Sequence, residues 1–172
     1  MKWHRCVLLF AISIASSGCV TRAPQESLTF SVPKNEQWVV GNHSVVRGVS
    51  ILNEMVRKGE SIKKWTELFS VFNLPLRPTS PPREQLMNEL KEKMQKRCPN
   101  VVWNVIQTGP SDILYEWRIA KCSPHPDQHE IARIMDGEVN RFRIAYTAKT
   151  TEMPADRRKE WMDILLAARY QK

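Results

Sequence analysis

Long apolar runs are missing from this 172-residue chain. Its most apolar stretch, residues 6–15, is ten residues long, half of the roughly 20 that a spanning helix needs. Glycine is scarce, with six in the chain. Neither the GxSxG turn of a serine hydrolase nor a Gly-rich phosphate loop can be written with them. The four cysteines contain no CxxC pair, and no histidine stands at ligand spacing from Cys98 or Cys122. This argues against a zinc ribbon or a thioredoxin-type redox motif. No internal repeat is present, which excludes a solenoid or propeller.

The apolar stretch lies between Lys2 and Arg5 on one side and Ser16, Ser17, Gly18 and Cys19 on the other. A basic start, a short apolar run and small residues make an export signal rather than a structural element. Small residues ending at a cysteine resemble the lipobox of bacterial lipoproteins. The resemblance covers residues 1–19 and departs from the usual pattern at Ser16, where that family prefers Leu. A plain secretory signal cut nearby is the alternative. The resemblance implies a signal peptide over residues 1–18 and diacylglycerol and palmitate on Cys19. It also implies a mature chain held on the periplasmic side of a membrane. Val20 in place of Asp favours the outer membrane over the inner one. Residues 19–27 then form a lipidated tether, and residues 28–172 the globular domain.

Removing Lys2 and Arg5 takes the net charge from +8 to +6, and about 153 residues remain, enough for one domain with its own core. A basic periplasmic domain suits an envelope protein partner or an anionic surface. Nucleic acid is excluded by the compartment. Cys98 and Cys122 are then the two remaining thiols. An even pair in an oxidising compartment reads as one disulfide, closing a loop of about 25 residues worth roughly 3 kcal/mol.

Hydrophobic patterning predicts strands at 28–32, 37–41 and 44–56, broken by Gly41 and Gly48. Over 61–73, Ile62, Trp65, Leu68, Phe69 and Phe72 recur at helical spacing and predict a first helix. A proline-rich connection follows. Ser80 and Pro81 then open a second helix running to Arg97. Strands are predicted at 101–108, 113–122, 129–136 and 138–149, with Asp136-Gly137 as a hairpin turn. Tyr115, Trp117, Ile119, Phe142, Ile144 and Tyr146 would make a greasy face, with Glu116, Arg118, Arg141 and Arg143 opposite. A last helix starts at Pro154. Its first turn carries Arg157, Arg158 and Lys159 against the helix dipole, a conflict that a docked anion would relieve. The expectation is a single α+β domain, an antiparallel sheet with about three helices packed on one face. The layout loosely resembles the PsbP-like sandwich, which also occurs in bacterial lipoproteins.

The chemistry-bearing residues are few. His125 and His129, with Asp127 between them, are a candidate metal or acid/base cluster, but a Pro-rich loop holds ligands poorly. Cys122 with His125 is a candidate nucleophile pair if Cys98 has no partner. Glu116 and Glu130, on neighbouring strands, are candidates for paired carboxylates. Arg118, Arg141 and Arg143, with Arg133 nearby, are a candidate basic strip. No catalytic residue, metal or cofactor is assigned. The reading is a non-enzymatic, lipid-anchored interaction domain, an accessory part of an envelope or secretion assembly. The alternative is a periplasmic hydrolase or small-ligand-binding protein using the His125–His129 loop.

Overall fold

A computed structural model describes residues 26–47 and 49–171. The signal peptide, Cys19 and most of the expected tether lie outside the described residues, as does Gly48. The elements run β1 (Ser27–Thr29), β2 (Trp38–Val46), β3 (Ser50–Arg57), β4 (Glu67–Pro75), α1 (Arg83–Arg97), β5 (Val102–Thr108), β6 (Asp112–Ile119), β7 (Gln128–Asp136), β8 (Asn140–Ala148), α2 (Ala155–Ala167) and β9 (Arg169–Gln171). Strands β2 to β8 form one antiparallel sheet in the order β2-β3-β4-β8-β7-β6-β5. Two meanders therefore meet where β4 pairs with β8. The short β1 pairs with β9.

The expected α+β fold with about three helices on one face is corrected. The described residues hold two helices against a seven-stranded sheet, and the protein is mostly β. The helix predicted over 61–73 is a turn followed by β4. Phe69 and Val71 face one side of the sheet, while Leu68, Ser70 and Phe72 face the other, and β4 is hydrogen-bonded on both edges. A strand with apolar groups on both faces has a near-continuous apolar sequence, which periodicity cannot separate from a buried helix.

The helices also lie on opposite faces. Successive side chains of a strand point to opposite sides. Ile113, Tyr115, Trp117 and Ile119 of β6 pack with Met87 of α1, whereas Leu114 packs with Trp161 and Leu165 of α2. The expected greasy and polar faces are thus two covered faces. Trp161 is fully buried and stacks on Tyr146 at 4.1 Å between ring centroids, beside Phe69 and Trp38.

Smaller corrections follow from local geometry. Gly41 does not end a strand; β2 runs through it with a bulge between Val40 and Asn42. Pro82, not Ser80, is the N-cap of α1, and the Ser80 hydroxyl instead accepts the Arg77 N–H. The last helix stops at Ala167, because residues 169–171 leave to pair with β1. Glu26 and Ser27, assigned to the tether, belong to the fold. The Glu26 carboxylate accepts the N–H groups of Glu138, Val139 and Asn140 in the β7–β8 turn. Gly137 permits that approach, since a Cβ there would stand 2.4 Å from a Glu26 oxygen.

The predicted disulfide is present. Cys98 caps the C-terminus of α1 and Cys122 follows β6, with Cα atoms 5.7 Å apart. It fastens α1 to the sheet.

Candidate functional site

The candidate basic strip does not form. Arg118 shares the α2 face with its cross-strand partner His129 and pairs with Glu152. Arg141 and Arg143 point to the α1 face and turn inward. Arg141 binds Asp136 and the Pro81 carbonyl and is 5 % exposed. Arg143 binds Glu130 and the Tyr115 hydroxyl. Burial opposes the charge of Arg143, but Glu130 and Tyr115 together outweigh it, and the guanidinium is held charged well above its usual range. Arg133, on the α2 face, is taken up by Asp112 and by three carbonyls at the end of α2. Alternation placed these arginines on their strands; the covering helices made the sites of Arg133, Arg141 and Arg143 interior, while Arg118 stays partly exposed.

The two candidate carboxylates are separated as well. Glu116 lies opposite Ile131 and Glu130 opposite Trp117, so they occupy opposite faces of the sheet. Glu130 accepts from Trp117, Arg143 and Thr147. Glu116 accepts from Arg158, Asn104 and His129. Burial works against its charged form, yet those hydrogen bonds win and lower its pKa to about 2. Neither group is left as an acid or base facing an open cleft. The conflict at the start of α2 resolves internally too. Arg157 binds Glu36 and Glu67, Arg158 binds Glu116, and Lys159 binds Asp163.

His125 and His129 have unrelated surroundings. His125 is exposed in the loop after Cys122, and Asp127 accepts the Lys121 N–H. His129 is 2 % exposed. Its Nδ1 takes the Met153 N–H at 2.9 Å, so that nitrogen carries no proton and Nε2–H points to Glu116. Among the described residues no three His, Cys, Asp or Glu side chains are grouped to hold a metal. Cys122 is in the disulfide and offers no thiolate.

The His129 geometry carries a pH prediction. Burial lowers its pKa below the ordinary 6.5, and the Glu116 carboxylate only partly opposes this. The unfolded chain takes up a proton near pH 6.5 while the folded chain resists it. Stability is therefore full above that pH and declines as pH falls below it. An imidazolium would also set an Nδ1–H against the Met153 N–H at the entrance of α2. His129→Asn supplies an acceptor and a donor but does not titrate. Its urea midpoint is expected to change less between pH 7 and pH 5 than that of the native chain. Equal slopes for the two proteins would contradict this role.

Two surfaces remain that the sequence reading missed, one at each end of the sheet. At one end lie the chain before β2, the β3–β4 and β6–β7 connections and the start of α2. Here Lys34, Lys58, Lys63, Lys64, Lys121 and Lys149 are all exposed. Lys149 packs on Trp65 at 4.3 Å from the ring centroid. At the other end lie the β2–β3 and β7–β8 turns. Here Val45, Val46 and Val49 are exposed. A groove of about 460 Å³ opens on the α2 face beside them, walled by Leu28, Phe30, Val40, Ile51 and Met55. At its floor the buried Asn73 Oδ1 has no hydrogen-bond partner. The sequence signal for these lysines was weak, since Lys63 and Lys64 fell in the expected helix and Lys121 and Lys149 at the ends of expected strands. Their convergence required the strand order.

Against known protein families and curated proteins, the chain matches no family and no curated sequence.

Proposed function

We propose that this chain is an exported, lipid-anchored domain that works by binding rather than by catalysis, as an accessory part of an envelope assembly. The observation that carries the reading is the Cys98–Cys122 disulfide. Such a bond persists in oxidising compartments and is rare in the cytosol of mesophiles. It supports the export signal ending at Cys19, and with it acylation of that cysteine. The outer membrane is the favoured location on the strength of Val20.

The partner surface in this reading is the lysine-bearing end rather than the three arginines. Each of those arginines already has a carboxylate of the chain itself. Six exposed lysines over one end of the sheet suit an envelope protein with an acidic face, through salt-sensitive steering. A photo-crosslinker at Lys63 tests this in intact cells. A discrete crosslinked partner is expected, with its yield reduced several-fold by Lys64→Glu with Lys149→Glu and by raised salt. Arg118→Glu should leave the yield nearly unchanged. Undiminished crosslinking in the double lysine variant would dismiss this surface.

A further inference from the structure

We infer that the end of the sheet carrying the β2–β3 turn rests on the lipid surface, with Val45, Val46 and Val49 entering the headgroup region. This deepens the lipid-anchor reading and rests on it. Glu26, seven residues beyond Cys19, is held at this end of the sheet. Glu26 is pinned by three N–H groups to residues 138–140. Register places that turn at the same sheet end as the β2–β3 turn: Val45 pairs with Ile51, Ile51 with Asn73, and Asn73 with Phe142. Seven peptide steps separate Cys19 from Glu26, and a fully extended chain spans at most about 3.6 Å per step. With acyl chains on Cys19, this end stays within roughly 25 Å of the bilayer. A nine-residue strand adds about 30 Å more to the far end.

The residues at the tip are themselves apolar. Val45, Val46 and Val49 are 56 %, 53 % and 56 % exposed. Val45 and Val46 end the edge strand β2, which proteins ordinarily blunt with charge, and Val49 lies in the turn that follows. Arg47 is exposed between them. An apolar tip carrying an exposed arginine matches an interface containing anionic headgroups, where the charged head stays outside and the apolar groups enter. The lysine end then faces away from the membrane and is free to meet a partner.

The test uses the full chain, processed by its host and reconstituted in vesicles of phosphatidylethanolamine and phosphatidylglycerol. An environment-sensitive fluorophore is attached at Val46→Cys, or at Lys63→Cys on the opposite end, with nitroxide-labelled lipid as quencher. Intact mass of the same sample reports acylation of Cys19. Quenching at residue 46 several-fold stronger than at residue 63, and weakened by Val45→Asp, is the expected result. Acylated protein with equal, weak quenching at both positions would overturn the docking and leave the anchor standing. A blue-shifted but unquenched probe at residue 46 would also overturn it, since a protein, such as a second copy, would then cover the valines. If Cys19 is unmodified, the anchor reading fails. Vesicles added to that unmodified chain then decide the docking alone: quenching at 46 that Val45→Asp abolishes supports it, and none overturns it.

Discussion

Replacing Arg133 with alanine is expected to destabilise the protein by about 3–5 kcal/mol, the range for breaking a buried, hydrogen-bonded ion pair. Arg133 is 8 % exposed. It donates to Asp112 at 2.7 Å and to the carbonyls of Leu165, Leu166 and Ala168 at 2.8–3.1 Å. Those carbonyls belong to the last turn of α2, where backbone acceptors have no partner within the helix. The last turn of α2 carries no basic residue of its own, so Arg133 of β7, together with Arg169 just beyond the helix, supplies the cations that the dipole favours there. Alanine would leave the Asp112 carboxylate and the Leu165 carbonyl without this donor, while the Leu166 and Ala168 carbonyls would keep Arg169. Lysine should recover only part of the loss, because one ammonium cannot reproduce a planar fork that serves four acceptors. Urea denaturation followed by tryptophan fluorescence reads this, since Trp161 sits in α2. A loss below about 1 kcal/mol for Arg133→Ala, the scale of an exposed pair, would mean that the sheet does not hold the end of the helix.

Removal of the disulfide by Cys98→Ser with Cys122→Ser is the second large effect. The loop of about 25 residues predicts a loss of roughly 3 kcal/mol, or about 6–12 °C in Tm for a domain of this size. The loss arises from freedom regained by the unfolded chain and from α1 being released at its C-terminal end. The helix otherwise holds the sheet through Met87 and the partly buried Leu86 and Met94. Reductant should reproduce the loss in the native protein and leave the double serine variant unaffected. An unchanged Tm in both would show that helix and sheet are held by packing alone.

The C-terminal meander was legible in the sequence, because β5 to β8 carry turn residues between apolar strands, Asp136-Gly137 above all. The two cysteines were legible as a pair once Cys6 and Cys19 were set aside. β4 was not, because Leu68, Phe69, Val71 and Phe72 satisfy a helical stripe and a doubly covered strand equally well. That one element changed the outcome. A helix at 61–73 gives three helices for one face; a strand there joins the meanders and leaves one helix per face. The arginines failed for the same reason. Charge on a strand reads as solvent-facing, whereas here Glu116, Glu130, Asp112 and Asp136 are internal counterions. Among the described residues eight arginines (57, 83, 118, 133, 141, 143, 157 and 158) pair with carboxylates of the chain itself. Much of the apparent basic character is thereby neutralised, and the lysines are left to define the charged surface.

The central claim, an exported domain anchored through Cys19 and stapled by Cys98–Cys122, is tested most directly by intact mass of the membrane-extracted protein. It is measured for the native chain and for Cys19→Ala, each alkylated before and after reduction. The account predicts a chain beginning at Cys19 with two or three acyl chains, absent from the Cys19→Ala variant. It predicts two alkylation sites that appear only after reduction. An unacylated chain whose Cys98 and Cys122 alkylate without reductant would contradict it.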